Sequence, residues 1–352
     1  MPVNPIAGFD YLAFKRWMRR LSIATSILIV LILGYFLVGW PQNYPKEYGV
    51  TWSSPYAWGL GLNPNEGLRQ VLDDLGVRQF RIPAYWTDIE REQGKYDFSI
   101  LQEQLDEIGK RNGRVMLAIG ARLPRWPECW VPDSAKRVDM KTREAMQMAY
   151  VQATYERFKN HPTIVAWQVE NESQLKQFVK CEGLTKELVI KELRYVRGEE
   201  AKRGERKRPV ITTDSGELSL WTSFAGETDG LGVSVYRSVT NPWLGIVRYW
   251  FIPPWAYARK AALVKWLTGP ISVTEFQMEP WSEVPLPNTK PEDQYKTLSL
   301  QHMRANFTYA KQIDVPMIDF WGAEWWYWMK TKQNVPEFWD EARRFFAESR
   351  QR

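Results

Sequence analysis

Short apolar runs alternate with longer amphipathic stretches along most of the chain after residue 47. Eight of these runs are predicted to be strands, because they are rich in β-branched and aromatic residues and are bounded by turn residues. They cover residues 48–53, 79–86, 114–120, 164–172, 209–215, 231–237, 270–276 and 315–325. Helices are predicted between most of them, most clearly over 65–75, 99–111, 142–159, 185–203 and 293–312, with a last helix over 336–349. Eight strand-helix units in about 310 residues predict an α/β fold, a (β/α)8 TIM barrel.

An apolar segment precedes this pattern. Leu21 to Trp40 runs for twenty residues without a charge, which is long enough to cross a membrane as a helix. Four basic residues lie just before it, so the N-terminus is expected in the cytoplasm and the barrel outside it. A cleaved signal peptide is the alternative, although the run is long and no small-residue cleavage site closes it. The sequence therefore predicts a cytoplasmic tail (1–20), a single transmembrane anchor (21–40) and a barrel domain (41–352).

The net charge and the small numbers of cysteine and histidine residues argue against several functional classes. The net charge is +6, and half of the excess lies in the first 20 residues, so nucleic acid is not expected as a partner. Cys129 and Cys181 have no metal-site spacing and form either one disulfide or two separate thiols. His161 and His302 fall in a turn and in a predicted helix, so neither a Ser-His-Asp triad nor a metal site is expected. No Gly-x-Gly-x-x-Gly turn follows the first strand, and no cofactor is expected.

Two predicted strands end on a glutamate. WQVENES carries Glu172 at the end of the fourth strand, and SVTEFQMEPW carries Glu275 at the end of the seventh. The chemistry of a TIM barrel lies at the carboxyl ends of its strands, so both side chains are expected over one pocket. Two carboxyl groups in different environments, one protonated and one ionised, are what glycosidic bond cleavage requires.

Longer motifs give a resemblance to a known group of enzymes. FRIPAYWTDIEREQGKYDFSILQEQLD (residues 80–106), NHPTIVAWQVENE (160–172) and VTEF (273–276) resemble the second, fourth and seventh strand regions of the clan A glycoside hydrolases. This clan of retaining TIM-barrel enzymes includes families five, thirty-nine and forty-two. Ser173 stands where family five usually has proline, and RLPRW (122–126) stands where a histidine follows the third strand. The family within the clan, and with it the substrate, stays open.

The resemblance implies roles for the residues that match it. Glu172 would be the acid/base, Glu275 the nucleophile, and Asn171 a hydrogen-bond partner of the 2-hydroxyl of the sugar. Arg81 would lie beside Glu275, where a positive charge favours the ionised carboxylate. Tyr236 would donate a hydrogen bond to the nucleophile.

Aromatic side chains complete the expected site. The resemblance makes Trp321 the platform under the sugar at the cleavage point. Trp126 and Trp281 are further candidates for platforms in the cleft, since aromatic faces suit the apolar faces of sugars. Residues 241–265, rich in Trp, Tyr and Pro, are expected to form a wall or lid over the pocket or to dip toward the membrane.

These observations predict a membrane-anchored retaining glycoside hydrolase that acts outside the cytoplasm on a carbohydrate substrate, with the β-linkage implied by the resemblance. Two alternatives use the same cleft. One is a barrel that binds glycans without cutting them, and the other is a transglycosylase in which an acceptor sugar replaces water.

Overall fold

The computed structural model describes residues 11–38, 46–177, 179–241, 244–282 and 284–350. The chain divides into two compact units, Met1–Gln42 and Asn43–Arg352. The first contains helix α1 (Tyr11–Leu37), which is long and apolar enough to cross a membrane. Its 27 residues span about 40 Å. The helix begins ten residues before the predicted anchor, and the last two residues of that anchor, 39 and 40, lie outside the described residues.

Within the described residues, the second unit contains ten strands. They are β1 (Glu47–Thr51), β2 (Gln79–Pro83), β3 (Arg114–Ile119), β4 (Ile164–Val169), β5 (Val210–Ser215), β6 (Gly230–Val235), β7 (Ser238–Asn241), β8 (Gly245–Arg248), β9 (Ile271–Gln277) and β10 (Met317–Trp321). Eight of them, all except β7 and β8, close into a parallel barrel in chain order. The predicted TIM barrel and all eight predicted strands are confirmed.

Helices connect and cover the strands. Those of the second unit are α2 (Ser54–Gly59), α3 (Pro64–Asp73), α4 (Trp86–Ile89), α5 (Ser99–Gly109), α6 (Asp133–Lys136), α7 (Met140–Phe158), α8 (Lys186–Ala201), α9 (Pro254–Thr268), α10 (Pro291–Thr297), α11 (Leu300–Gln312), α12 (Ala323–Lys332) and α13 (Glu337–Ser349). Polar side chains fix several starts: Asp139 accepts the Thr142 amide and Thr185 the Leu188 amide. Such caps satisfy amides that the first helical turn leaves unpaired.

The segment 241–265 overlaps two elements of the fold. It begins at the last residue of β7 and contains β8, the second strand of the antiparallel hairpin β7–β8. It continues into α9, the crossover helix between β6 and β9. The predicted helix over 293–312 is two helices, α10 and α11, because Leu298 adopts an extended conformation at the end of the first.

The barrel interior is polar toward the carboxyl ends of the strands. Arg81, Gln168, Thr274 and Asp319 are buried there, each 1% exposed or less. Aliphatic and aromatic side chains fill the layer between strands and helices, with Trp167, Trp325 and other large residues fully buried. The apolar layer stabilises the barrel. The polar interior places charged side chains near the carboxyl ends of the strands.

Candidate active site

The end of β4 turns sharply and separates two glutamates. The strand stops at Val169, and both Glu170 (φ 58°) and Glu172 (φ 44°) adopt the left-handed conformation. Non-glycine residues rarely adopt it, and such strain is concentrated at functional sites. A regular strand would have directed both side chains to the same side. The turn instead directs the carboxylate of Glu170 to the backbone amides of Ala121 and Arg122, at 2.7 and 2.6 Å.

Glu172 is held in a pocket that favours its neutral form. It is 6% exposed, and the Ser234 hydroxyl donates to its Oε1 at 2.6 Å. Burial raises the pKa of Glu172 well above its ordinary value, and the negative charges of Glu275 and Glu128 raise it further. A carboxyl group of this kind is suited to donate a proton.

Glu275 on β9 is bound by a positively charged side chain. Nη1 of Arg81 lies 2.7 Å from its Oε1, and the Tyr236 hydroxyl donates to its Oε2 at 2.9 Å. Glu275 and Arg81 are both buried. An ion pair and a hydrogen bond on the two oxygens hold this carboxylate in one orientation.

Arg81 also organises the residue beside Glu172. Its Nη2 donates to Oδ1 of Asn171 at 2.6 Å, and its Nε donates to Gln168 at 2.7 Å. The Thr213 hydroxyl donates to the same Oδ1 at 2.7 Å. Arg81 therefore links the ends of β4 and β9 from its position on β2. The structure brings Arg81, Asn171, Glu172, Tyr236 and Glu275, all expected from the sequence, into one group.

A small cavity lies at this group. Its lining residues are Glu128, Glu172, Leu175, Ser215, Glu217, Leu218, Ser234, Tyr236, Val239, Tyr249 and Trp281. Its volume is about 60 Å³, room for a few water molecules. Val239 lies on β7 and Tyr249 follows β8, so Tyr249 is the lining residue that comes from the segment 241–265. The ring of Trp281 packs edge-on against Tyr236, with centroids 5.3 Å apart.

Glu128 is a third carboxyl group at the cavity, which the sequence reasoning did not identify. Arg122 donates to its Oε2 from Nη2 at 2.7 Å and from Nε at 3.0 Å. The same guanidinium donates through Nη1 to the backbone oxygen of Glu172 at 2.8 Å. Burial raises the pKa of Glu128, whereas Arg122 lowers it. The sequence signal for this residue was its place in a loop after the third strand, next to Cys129.

That loop is cross-linked. Cys129 and Cys181 form a disulfide with Cα atoms 5.5 Å apart, which resolves the choice left open by the sequence. The bridge joins the loop after β3 to the loop after β4, the two segments that carry Glu128 and Glu172. It restrains the position of one carboxyl group relative to the other.

Two of the expected aromatic platforms have other surroundings. One ring face of Trp321 is covered by the guanidinium of Arg125, 3.9 Å from the ring centroid, and Tyr56 covers the same guanidinium at 3.9 Å. Arg125 is also paired with Glu279 and with Glu324, the latter at 2.6 Å. The indole of Trp321 donates to Glu279 at 2.9 Å. At least that face of Trp321 is therefore not open to a sugar.

Trp126 does not join the group. It is 78% exposed and is not among the residues that line the cavity. The sequence placed it correctly in the loop after the third strand, but a loop residue's side-chain direction depends on tertiary contacts that local pattern does not show.

Apart from the acids already described, the acids near the strand ends do not line the cavity, with one exception. Glu170 and Glu192 both accept from Gln147, at 3.0 and 2.7 Å, and burial raises the pKa of Glu170 to about 7. Glu217 is the exception: it lines the cavity, accepts from Tyr257 at 2.5 Å, and has its pKa raised by burial to about 7.

The two histidines have structural contacts. His161 lies 3.2 Å from a carboxylate oxygen of Asp106, and His302 takes part in the cap of α11 with Ser299. Within the described residues, no group of three or more His, Cys, Asp or Glu side chains is arranged to hold a metal ion.

Comparison with known proteins finds a partial match in sequence. A sequence model of the family 42 glycoside hydrolases, described as β-galactosidase, matches residues 68–187. The β-galactosidase BbgII of Bifidobacterium bifidum is 28% identical over 38% of this chain and 22% of its own length. The β-galactosidase Pbg of Clostridium perfringens is 30% identical over 25% of this chain and 15% of its own length.

Solved structures show the same fold at low identity. A family 5 subfamily 18 glycoside hydrolase from Streptomyces cattleya, solved with GlcNAc, has a TM-score of 0.54 and 14% identity, and the match covers 80% of this chain and 71% of that one. A β-galactosidase from the psychrophilic Marinomonas ef1 has a TM-score of 0.52 and 14% identity over 78% and 53%. This chain carries the barrel of the clan A glycoside hydrolases.

The region of sequence similarity is only part of the barrel. The family 42 match includes Glu172 and ends before Glu275. The chain covers less than a quarter of the curated relatives named above. Their names therefore describe much longer proteins.

Proposed function

We propose that the chain is a retaining glycoside hydrolase that cleaves β-linked glycosides with Glu172 and Glu275. The observation that supports this most strongly is the contrast between the two carboxyl groups. Glu172 is buried with its pKa raised, whereas Glu275 is bound by Arg81 and Tyr236. Such a contrast is what separates an acid from a nucleophile in this reaction.

In the first step an oxygen of Glu275 forms a bond to the anomeric carbon, and the bond from that carbon to the leaving oxygen breaks. The protonated carboxyl of Glu172 gives its proton to the leaving oxygen, so the aglycone departs as an alcohol. The second step reverses the roles. The Glu172 carboxylate takes a proton from water, the water oxygen bonds to the anomeric carbon, and the ester bond to Glu275 breaks.

The other residues of the group bind and orient the sugar. We assign the amide of Asn171 to the 2-hydroxyl, since Arg81 and Thr213 fix its Oδ1. Trp281, beside Tyr236 at the cavity, supplies an aromatic surface for the sugar. Trp321 is kept as a platform for the sugar only through the ring face that Arg125 does not cover, and exposed Trp126 is assigned no contact with the sugar.

β-Galactosides are the first substrates to test, because the matching family model and curated relatives carry that name. The full-length chain is assayed on a panel of aryl β-glycosides, and the anomeric form of the first product is followed by NMR. We expect the product to keep its configuration. A 2-fluoro sugar with a good leaving group is expected to label Glu275, and the adduct is located by peptide mass spectrometry.

The matched variants are Glu275→Gln and Glu172→Gln, with exposed Glu182→Gln as control. The first two are expected to lose at least about 1,000-fold in kcat, and the control to keep wild-type activity. Absence of turnover on every glycoside with retained sugar binding would favour a glycan-binding barrel. Products extended by an added acceptor sugar would favour transglycosylation.

We also propose that α1 is an uncleaved single-pass anchor, with the N-terminus in the cytoplasm and the barrel outside. Lys15, Arg16, Arg19 and Arg20 support this orientation because basic residues stay on the cytoplasmic side. The Cys129–Cys181 disulfide supports an oxidising compartment for the barrel. External protease added to intact cells is expected to digest the barrel. A mature protein whose mass lacks the first 40 residues would show a signal peptide instead.

A further inference from the structure

One long segment of the barrel unit contains no acidic residue. Between Asp229 and Glu275 the sequence has no Asp or Glu, while five basic residues occur: Arg237, Arg248, Arg259, Lys260 and Lys265. The same segment holds eight aromatic residues, Tyr236, Trp243, Tyr249, Trp250, Phe251, Trp255, Tyr257 and Trp266. A composition of aromatic and basic residues without acids is typical of segments that lie at a membrane surface.

Helix α9, within this segment, is apolar on both of its sides. Tyr257, Ala261 and Val264, at helical spacing, pack toward the barrel. Leu263 and Trp266 point outward and are 52% and 77% exposed. An outer helix of a TIM barrel normally presents polar residues to solvent, so an apolar outer side indicates a further contact.

More exposed apolar side chains lie just before this helix. Trp250 is 77% exposed and Phe251 is 59% exposed, and Leu244 at the turn of the hairpin is 76% exposed. We call the five residues Leu244, Trp250, Phe251, Leu263 and Trp266, which lie on the hairpin turn, on the residues after β8 and on the outer side of α9, the aromatic face.

The basic residues of this segment favour an anionic partner for the aromatic face. Arg248 and Lys265 are exposed and lie close to its residues in the sequence, and the segment contains no acidic residue. One nitrogen of Arg248 donates to the backbone oxygen of Lys296 at 3.0 Å. Indole rings favour the boundary between lipid headgroups and hydrocarbon, while basic side chains bind anionic headgroups. These features fit a bilayer with anionic lipid better than a protein surface, where a defined shape is required.

We propose that the aromatic face docks on the surface of an anionic lipid bilayer. Trp250, Phe251, Leu263 and Trp266 enter the headgroup layer, and Arg248 and Lys265 contact lipid phosphates. Tyr249 lines the cavity while Trp250, its neighbour, belongs to the aromatic face. A docked face therefore restrains the hairpin wall of the cavity as well as the outer helix.

The test measures the depth of single labelled positions in the full-length chain. The chain has two cysteines, and both are in the disulfide, so an introduced thiol is labelled alone. Leu263→Cys reports on the aromatic face. Ile100→Cys is the matched control, since Ile100 is 38% exposed on α5, and α5 follows β2, four strands around the barrel from β6, which α9 follows. The protein is placed in phosphatidylcholine vesicles with or without phosphatidylglycerol that contain nitroxide-labelled lipid.

We expect nitroxide lipid to quench the fluorophore at position 263 several-fold more than the one at position 100, and more strongly with phosphatidylglycerol. The double change Trp250→Ser and Trp266→Ser, added to Leu263→Cys, is expected to remove the difference while thermal unfolding of the barrel stays the same. Equal quenching at the two positions would overturn the proposal. So would shielding of position 263 that depends on protein concentration and not on lipid, because that would indicate a second copy of the chain.

Discussion

Nη1 of Arg81 lies 2.7 Å from Oε1 of Glu275, and both side chains are buried at the carboxyl end of the barrel. The other terminal nitrogen of the guanidinium holds Asn171. A planar fork that binds two partners cannot be replaced by a single ammonium group. Arg81→Lys is therefore expected to lower kcat/KM roughly 100-fold, the size of the loss when one preorganised contact of a catalytic site is removed.

Arg194→Lys is the matched control for that change, because Arg194 forms a similar two-nitrogen contact to Glu227 on the surface. Its kcat/KM is expected to equal that of the wild type. Steady-state kinetics on an aryl glycoside gives both values. An unchanged rate in Arg81→Lys would contradict the assigned role of Arg81.

Glu128 is predicted to shift the pH dependence of the reaction. The groups that face Glu172 are Glu275, Glu128, Arg122 and the Ser234 hydroxyl, and the first two raise the pKa of Glu172. Activity requires protonated Glu172 and is lost as pH rises through its pKa. Glu128→Gln removes a negative charge, so the basic limb of kcat/KM is expected to move down by roughly half a unit to one unit.

The control for this experiment is Glu182→Gln, which alters an exposed acid next to Cys181 and should leave the pH profile in place. If the basic limb of Glu128→Gln stays where it is or moves to higher pH, Glu128 does not influence the acid.

The disulfide is predicted to stabilise the barrel and to position Glu128. The bridge closes a loop of sequence separation 52, for which loss of the cross-link costs about 2–4 kcal/mol. The double change Cys129→Ser and Cys181→Ser should lower the free energy of unfolding by this amount in urea titrations. A reductant should lower the stability of the wild type equally and leave the double variant unchanged. A reductant effect on the double variant would mean that the loss has another origin.

Asp319 is predicted to make stability depend on pH. Among the described residues neither of its carboxylate oxygens has a hydrogen-bond partner, and burial raises its pKa to about 7. A raised folded-state pKa gives stability that is complete below the unfolded pKa, near 3.9, and is lost as pH rises toward 7. Asp319→Asn removes one titrating proton, so its free energy of unfolding should fall less steeply, by about 1.4 kcal/mol per pH unit within that window.

Urea titrations at several pH values measure this slope. Exposed Asp293→Asn is the control, since the hydrogen bond from Lys296 lowers the pKa of Asp293 and places its titration below the window. Parallel pH curves for the wild type and Asp319→Asn would show that Asp319 ionises without cost.

The barrel could be predicted because its signals are local. Each strand is an apolar run of β-branched and aromatic residues, and each helix repeats its apolar side at helical spacing, so both follow from neighbours in the sequence. The same holds for α1 and for the two strands that end in Glu172 and Glu275. Helix α9 was not among the helices predicted from the sequence, because its apolar residues are not confined to one side.

Only part of the candidate site could be predicted from the sequence. Glu170 and Glu172 are two residues apart and look equivalent in a regular strand, but the left-handed turn after Val169 sends them to different partners. Glu128 lies 44 positions from Glu172 and meets it only through Arg122 and the loop that the disulfide closes. Contacts between residues this far apart cannot be predicted from the local sequence.

The sequence by itself determined the architecture and the position of two carboxyl groups near strand ends, since periodicity sets strands and helices and closure of eight parallel strands brings their ends together. Only the tertiary structure decided which environment each carboxyl group has. Burial, the charge of Glu128 and the ion pair with Arg81 come from residues distant in sequence, and these set proton affinity and orientation at the cavity.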